Sequence, residues 1–101
     1  MRIAFIGGGA MGEAMVKCLL TKKMAAPQDV VVSDTSPVRR ELLSREYGVS
    51  TLADNRKAVA NADLIILAVK PQNLPQVMEE IKGPALSGAE GLAPQQLVLS
   101  I

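Results

Sequence analysis

Short apolar runs alternate along the chain with stretches in which apolar residues return every three or four positions. The runs Arg2 to Ile6, Val30 to Val32 and Leu64 to Val69 end at glycine or polar residues, which predicts three strands. The last of them is continuously apolar, as in a strand covered on both faces of a sheet. Shorter runs at Val49 to Leu52 and Leu97 to Ile101 predict two further strands.

The stretch Ala10 to Lys23 has the spacing of a helix with one buried face. Apolar residues recur there at intervals of four, which predicts a buried stripe with small residues beside it. The predicted stripe is Met11, Met15 and Leu19, flanked by Ala10, Ala14 and Cys18.

Capping signals define the next helix. Ser36 followed by Pro37 is typical of an N-cap and first turn. The helix is expected to run to about Tyr47 and to stop at Gly48, which suits a left-handed C-terminal position.

Two more helices are predicted in the second half of the chain. Either Asp54 or Asn55 caps a short one that runs to about Asn61. A later one contains Pro75, which a helix tolerates only in its first turn. The segment Gly83 to Pro94, which is rich in glycine and proline, is expected to be a loop. The later helix is indicated by apolar residues at i, i+3, i+4 and i+7: Leu74, Val77, Met78 and Ile81.

This alternation of strands and helices predicts an α/β fold, a Rossmann-type doubly wound parallel sheet forming a single domain. Five strands fit the order 3-2-1-4-5. The flavodoxin-like order is the alternative that periodicity does not exclude, and the glycine motif described next favours the first.

Residues 7–12, GGGAMG, match the pattern G-x-G-x-x-G between a predicted strand and a predicted helix. Gly7 would allow the tight turn, Gly9 would let a pyrophosphate approach the backbone, and Gly12 would let the helix pack closely on the strand. Gly12 is followed by Glu13, which contradicts a Walker-type loop. A glycine-rich turn without a ligand is the alternative.

The second predicted strand ends in polar residues. Asp34 lies 22 residues after Gly12, about where a carboxylate accepts hydrogen bonds from an adenosine ribose, and this favours NAD. The hydroxyls of Ser33, Thr35 and Ser36 and the following pair of arginines would instead suit the 2′-phosphate of NADP. The residues leave the choice open.

The fourth predicted strand runs into Ala68, Val69, Lys70 and Pro71. Ligands of open parallel sheets lie beyond the carboxyl ends of the strands, so this segment is expected to face the nicotinamide half of a cofactor. Lys70 would reach a ribose hydroxyl or a phosphate, and Pro71 would fix the turn. A plain strand-to-helix connection with a surface lysine is the alternative.

Composition narrows the function classes. The net charge is +1 and the only aromatics are one Phe and one Tyr, which argues against nucleic-acid binding. The chain has no His and one Cys, so histidine-based triads and His- or Cys-rich metal sites are excluded. Neither a signal peptide nor an apolar run long enough for a bilayer is present, and a cytoplasmic protein without membrane contact is expected.

Taken together, GGGAMGEAM, VVVSDTS and ADLIILAVKPQ resemble the N-terminal domain of pyrroline-5-carboxylate reductases, with AVKPQ the most specific element. Family members commonly have Asn or Gln at the position of Ala10, and many have Arg at that of Thr35. By resemblance, the cofactor-binding residues are Ile6, Gly7, Gly9, Ala10, Met11 and Gly12 at the pyrophosphate, Ser33, Asp34, Thr35, Ser36 and Asn55 at the adenosine side, and Ala68, Val69, Lys70 and Pro71 at the nicotinamide side.

The resemblance implies reduction of 1-pyrroline-5-carboxylate to L-proline with NADPH, with NADH as the alternative cofactor. It also implies that residues 1–101 are the cofactor domain of a longer two-domain chain, because the chain stops in a strand-like run and the family's helical dimerisation domain is absent. That missing domain would make the protein a homo-oligomer and build the substrate site. No residue here is expected to be catalytic or to bind a metal. Alternatives are an F420-dependent NADP reductase, a prephenate or hydroxyacid dehydrogenase, and a non-catalytic nucleotide sensor.

Overall fold

The computed structural model describes residues 2–60, 62–82 and 97–100 of the 101-residue chain. The predicted loop Gly83 to Pro94 lies outside these residues, as does Ile101. Two short 3-10 turns, Pro27–Asp29 and Pro71–Asn73, add to the predicted elements. The strands and helices in chain order are β1 Ile3–Ile6, α1 Ala10–Thr21, β2 Val30–Ser33, α2 Pro37–Tyr47, β3 Ser50–Leu52, α3 Asn55–Val59, β4 Leu64–Leu67, α4 Leu74–Lys82 and β5 Leu97–Ser100.

The strands form one parallel sheet in the order β3-β2-β1-β4-β5. This confirms the predicted Rossmann-type order and excludes the flavodoxin-like alternative. In the register, Ile6 pairs with Ser33 on one side and with Leu67 on the other. The carboxyl ends of β1, β2 and β4 are therefore level, and the loops that follow them meet at one edge.

Each face of the sheet has its own apolar core, as expected for a doubly wound fold. Phe5 and Val32 lie on one face with Val16 of α1 and Leu43 of α2. On the other face, the partners of β1 and β4 come from α3 and α4. That second cluster includes Ala4, Ile6, Val59, Ile65, Val77 and Ile81.

The predicted buried stripe of α1 is wrong by about one position. Gly12 and Val16 are the buried residues, whereas Met11 is 62% exposed, and Ala14 and Cys18 are exposed as well. The cause is the close contact at Gly12, which turns the face of that residue toward the sheet. Met15, Leu19 and Leu20 complete the packed side.

The end of α1 also differs from the prediction. The helix stops at Thr21 rather than Lys23, because Lys23 adopts a left-handed conformation with φ 56°. The N–H groups of Lys23 and Met24 donate to the carbonyls of Leu20 and Leu19, which satisfies two of the last carbonyls of the helix.

The predicted caps of α2 and α3 are confirmed. The Ser36 side chain accepts the N–H of Arg39, and Gly48 is left-handed with φ 72°. Of the two candidates before α3, Asp54 is the cap, because its carboxylate accepts the N–H groups of Arg56 and Lys57.

Candidate cofactor-binding site

The loop between β1 and α1 has the shape that the glycine motif predicts. Gly7 is left-handed, with φ 105°, and a Cβ there would lie 2.5 Å from the carbonyl oxygen of Ala68. A Cβ on Gly12 would lie 2.5 Å from the carbonyl oxygen of Gly7. At Gly9 a Cβ would have no neighbour within 4 Å. Gly7 and Gly12 are thus required by the fold itself, whereas Gly9 faces open space.

Both backbone polar groups of Gly8 are held by side chains. Its N–H donates to Oδ2 of Asp34 at 2.8 Å, and its carbonyl accepts from Nε of Arg39 at 2.8 Å. A Cβ on Gly8 would lie only 2.7 Å from Cδ1 of Leu43, which is fully buried. The motif leaves this position unspecified, so sequence reasoning did not single out Gly8.

Arg39 is further tied to α1. Its Nη2 donates to Oε1 of Glu13 at 2.7 Å, and the other Glu13 oxygen accepts from the Tyr47 hydroxyl at 2.6 Å. The hydrogen bonds from Tyr47 and Arg39 hold the pKa of Glu13 below its ordinary value, and the bond to Glu13 raises the pKa of Tyr47. This cluster joins both ends of α2 to the start of α1.

Asp34 is turned toward the glycine loop. Besides the Gly8 contact, its Oδ1 accepts the N–H of Ser36 at 2.8 Å, and its own carbonyl accepts from Nη1 of Arg40 at 2.8 Å. Each carboxylate oxygen accepts one backbone N–H and retains capacity for a further donor. Asp34 therefore supports the loop, and it is also one of the residues that line the cleft described below.

The Ser33 side chain is buried and hydrogen-bonds to another side chain of the protein. It is 1% exposed, and its hydroxyl donates to Oδ1 of Asn55. The Asn55 amide in turn donates from Nδ2 to Oε2 of Glu80 at 2.8 Å. The chain Ser33–Asn55–Glu80 links the end of β2 to the first turn of α3 and to α4.

These elements surround a cleft of about 480 Å³ at the carboxyl edge of the sheet. Its charged lining residues are Asp34, Lys70 and Glu80. Most of the predicted site residues are brought together there: Ile6, Gly7, Gly9, Ser33, Asp34, Thr35, Asn55, Ala68, Val69 and Lys70.

The other predicted residues are near the cleft without lining it. Ala10 and Met11 are exposed in the first turn of α1, and Gly12 is buried against Gly7. Ser36 caps α2, and Pro71 is exposed at the start of a 3-10 turn.

One wall of the cleft was missed in the sequence. This wall consists of Asn73 in the 3-10 turn before α4 and of Gln76, Val77 and Glu80 in α4, and Ala53 also lines the cleft. The signal was available, because the polar residues Asn73, Gln76 and Glu80 recur at helical spacing beside the apolar stripe. The apolar stripe identified the helix, and no role was predicted for its polar neighbours.

The residues fit a dinucleotide in three respects. Gly9 leaves the approach to the backbone open. No side chain caps the start of α1, so its first N–H groups are available to an anion and carry the positive end of the helix dipole. The end of β2 supplies hydroxyl and carboxylate groups suited to a ribose. The fold is therefore that of a Rossmann-type domain, and its cleft has the shape and groups that suit a dinucleotide.

A family model described as NADP oxidoreductase, coenzyme F420-dependent, matches residues 2–101, and the chain belongs to this family. It is 41% identical over 81 residues to a pyrroline-5-carboxylate reductase from Corynebacterium melassecola, covering 80% of this chain and 30% of that protein. A pyrroline-5-carboxylate reductase from Pseudomonas aeruginosa is 34% identical over 100 residues, with coverage of 99% and 34%.

A solved structure of a pyrroline-5-carboxylate reductase from Coxiella burnetii superposes with a TM-score of 0.86 at 33% identity, over 99% of this chain and 34% of that one. The predicted resemblance to these reductases is confirmed. The chain spans about a third of the length of these relatives.

Among the described ranges 2–60, 62–82 and 97–100, no helix is long and apolar enough to cross a membrane. The same residues hold no group of three or more His, Cys, Asp or Glu side chains placed to bind a metal ion.

Proposed function

We propose that this chain is the cofactor domain of a pyrroline-5-carboxylate reductase, which reduces 1-pyrroline-5-carboxylate to L-proline with NADPH and uses NADH less well. The observation that carries the proposal is Gly9, the one motif glycine whose Cβ position opens into free space above the uncapped start of α1. The similarity to reductases of this name supports the choice of substrate.

In this proposal different parts of the cleft hold different parts of the cofactor. The pyrophosphate lies over Gly9, where the first N–H groups of α1 balance its charge. The adenosine lies toward Thr35, which follows β2, and Asn55, which begins α3. When bound, the dinucleotide supplies the hydride, and its nicotinamide half lies toward Val69 and Lys70 after β4.

In this proposal Lys70 binds the cofactor and no residue of the chain is a general acid. Lys70 is exposed and lines the cleft, and an ammonium group suits a ribose hydroxyl or a phosphate oxygen. Residues 1–101 are then the first domain of a longer protein, cytoplasmic and homo-oligomeric, whose helical second domain supplies the contacts to the imine substrate.

One observation favours a second candidate. The matching family is described by its dependence on coenzyme F420, so a reductase that passes a hydride between reduced F420 and NADP is the competing function. Both candidates place the nicotinamide at the same end of the cleft, and they differ only in the second substrate.

Turnover by the full-length protein separates the two. NADPH oxidation is followed by absorbance with 1-pyrroline-5-carboxylate, and NADP reduction with reduced coenzyme F420. We expect turnover with the imine only, and none from residues 1–101 alone. Turnover with F420 but not with the imine would establish the competing function, and robust imine reduction by residues 1–101 would contradict the proposed second domain.

A further inference from the structure

Arg39 and Arg40 are neighbours in the first turn of α2, yet the structure gives them different partners. The Arg39 guanidinium donates to the Gly8 carbonyl from Nε and to Glu13 from Nη2. Its charge is balanced by Glu13, and its donors are directed into the protein. Arg39 therefore fixes the glycine loop, and neutralising an added phosphate would require breaking these contacts.

Arg40 has no such counter-charge. Its Nη1 donates to the Asp34 carbonyl at 2.8 Å, and among residues 2–60, 62–82 and 97–100 no carboxylate lies within ion-pair distance of it. A guanidinium has five N–H donors in a rigid fork, so most of its capacity is left for another ligand. The contact to the Asp34 carbonyl holds this cation just after β2, beside the peptide that joins Asp34 to Thr35, and Thr35 lines the cleft.

The carboxylate that would repel a phosphate here is already engaged. Both Asp34 oxygens accept backbone N–H groups, from Gly8 and from Ser36. These dipoles offset part of its charge and keep it directed toward the loop. The Arg40 guanidinium, which lies beside the Asp34 backbone, has donors left to bind an added anion.

Resting on the proposed function, we propose that Arg40 is the specificity-determining residue for NADPH over NADH, and that Arg39 is a positioning residue that serves both cofactors equally. The 2′-phosphate of the adenosine ribose would lie between Arg40 and the Thr35 hydroxyl. The phosphate oxygens accept from the remaining N–H donors of the guanidinium, which form strong charge-assisted bonds.

Calorimetry on the full-length protein and its variants tests these two roles. It measures the dissociation constants for NADPH and for NADH. Arg40→Ala is expected to weaken NADPH binding by about tenfold or more and to leave NADH unchanged. Arg39→Ala is expected to weaken both by the same factor, because the loop geometry serves both. Arg40→Lys, which keeps the charge without the fork, is expected to retain part of the preference.

Salt gives an independent readout, since the preference for NADPH should fall with ionic strength in the wild type but not in Arg40→Ala. Arg40→Gln keeps most of the side-chain stem and replaces Arg40→Ala if the latter does not fold. An unchanged ratio of the two constants in a folded Arg40 variant, or an equal loss of preference in Arg39→Ala, would overturn the inference alone. A wild-type protein that binds neither dinucleotide would instead refute the proposed function, and the inference with it.

Discussion

The carboxylate of Asp34 accepts the backbone N–H of Gly8 at 2.8 Å, across 26 residues of chain. This bond joins the end of β2 to the loop after β1. On the other side of the same residue, the Arg39 guanidinium donates to the Gly8 carbonyl. The protein's own groups therefore hold the glycine loop in shape, and a ligand meets a site that is organised in advance, which lowers the entropic cost of binding.

Removing the Asp34 carboxylate is predicted to destabilise the fold. In Asp34→Ala the N–H groups of Gly8 and Ser36 lose their acceptor, and the expected loss in the free energy of unfolding is about 1–3 kcal/mol. Urea denaturation measures it. Asp63→Ala is the control, because within the described residues that carboxylate accepts only the exposed N–H of Arg2, and its loss should stay below about 1 kcal/mol. Equal losses would show that the Asp34 bonds do not hold the loop.

Adjacent glycines are predicted to respond differently to alanine. Gly8→Ala places a Cβ 2.7 Å from Cδ1 of the buried Leu43, and overpacking of this kind costs about 1–3 kcal/mol. Gly9→Ala meets nothing within 4 Å and should change stability by less than about 0.5 kcal/mol. Thermal and urea unfolding of both variants provide the comparison. A Gly8→Ala protein as stable as Gly9→Ala would mean that Leu43 yields without cost.

The left-handed residue after α1 offers a stabilising change. Lys23→Gly relieves a φ of 56° in a non-glycine residue and is expected to raise the free energy of unfolding by about 0.5–1 kcal/mol. Lys22 has φ −86°, so Lys22→Gly relieves nothing and should lower stability. Measuring both variants under the same denaturant conditions isolates the effect of the positive φ at Lys23 on stability. A gain at Lys22 as large as that at Lys23 would contradict this prediction.

The Glu13 cluster predicts a pH dependence with a definite sign. The pKa of Glu13 is below its ordinary 4.5 in the folded state, so its contribution is present above pH 4.5 and is lost as pH falls through the folded value. The pKa of Tyr47 is above its ordinary 10.0, so its contribution is present below pH 10.0 and is lost as pH rises through the folded value.

The difference in unfolding free energy between wild type and Glu13→Gln, measured across pH, should therefore shrink below pH 4.5. Glu41→Gln is the control, because Glu41 pairs only loosely with Arg45, at 3.8 Å on an exposed surface. A stability difference for Glu13→Gln that stays constant between about pH 3 and pH 7 would show that the pKa of Glu13 is not shifted by folding.

Much of this fold is predictable because local signals and the global architecture agree. Ser36, Pro37 and Gly48 mark both ends of α2, and the glycine motif between a strand and a helix selects the strand order. The face of α1 was not predictable from apolar spacing. Its rotation is decided by the backbone contact of Gly12 with Gly7, which a hydrophobic pattern does not record.

Part of the candidate site, like part of the fold, could be predicted from the sequence. The places of Gly9 and Asp34 in the site could be predicted from motif spacing, because chain connectivity fixes where a loop and the end of a strand lie. The different partners of Arg39 and Arg40 do not follow from motif spacing, because they depend on which of the two side chains reaches Gly8 and Glu13 in the folded protein. The cleft-facing side of α4 depends in the same way on how that helix packs against β4.

Binding of NADPH to wild type and to Gly9→Val, compared by calorimetry, tests the central claim most directly. Gly9 has φ −76° and ψ −167°, which valine adopts without strain, so the variant is expected to fold while its side chain occupies the place of the pyrophosphate. Ala14→Val, on the exposed side of α1, is the matched control. The account predicts saturable binding to wild type and to Ala14→Val, with affinity at least about tenfold weaker in Gly9→Val. Equal affinity in a folded Gly9→Val protein would contradict it.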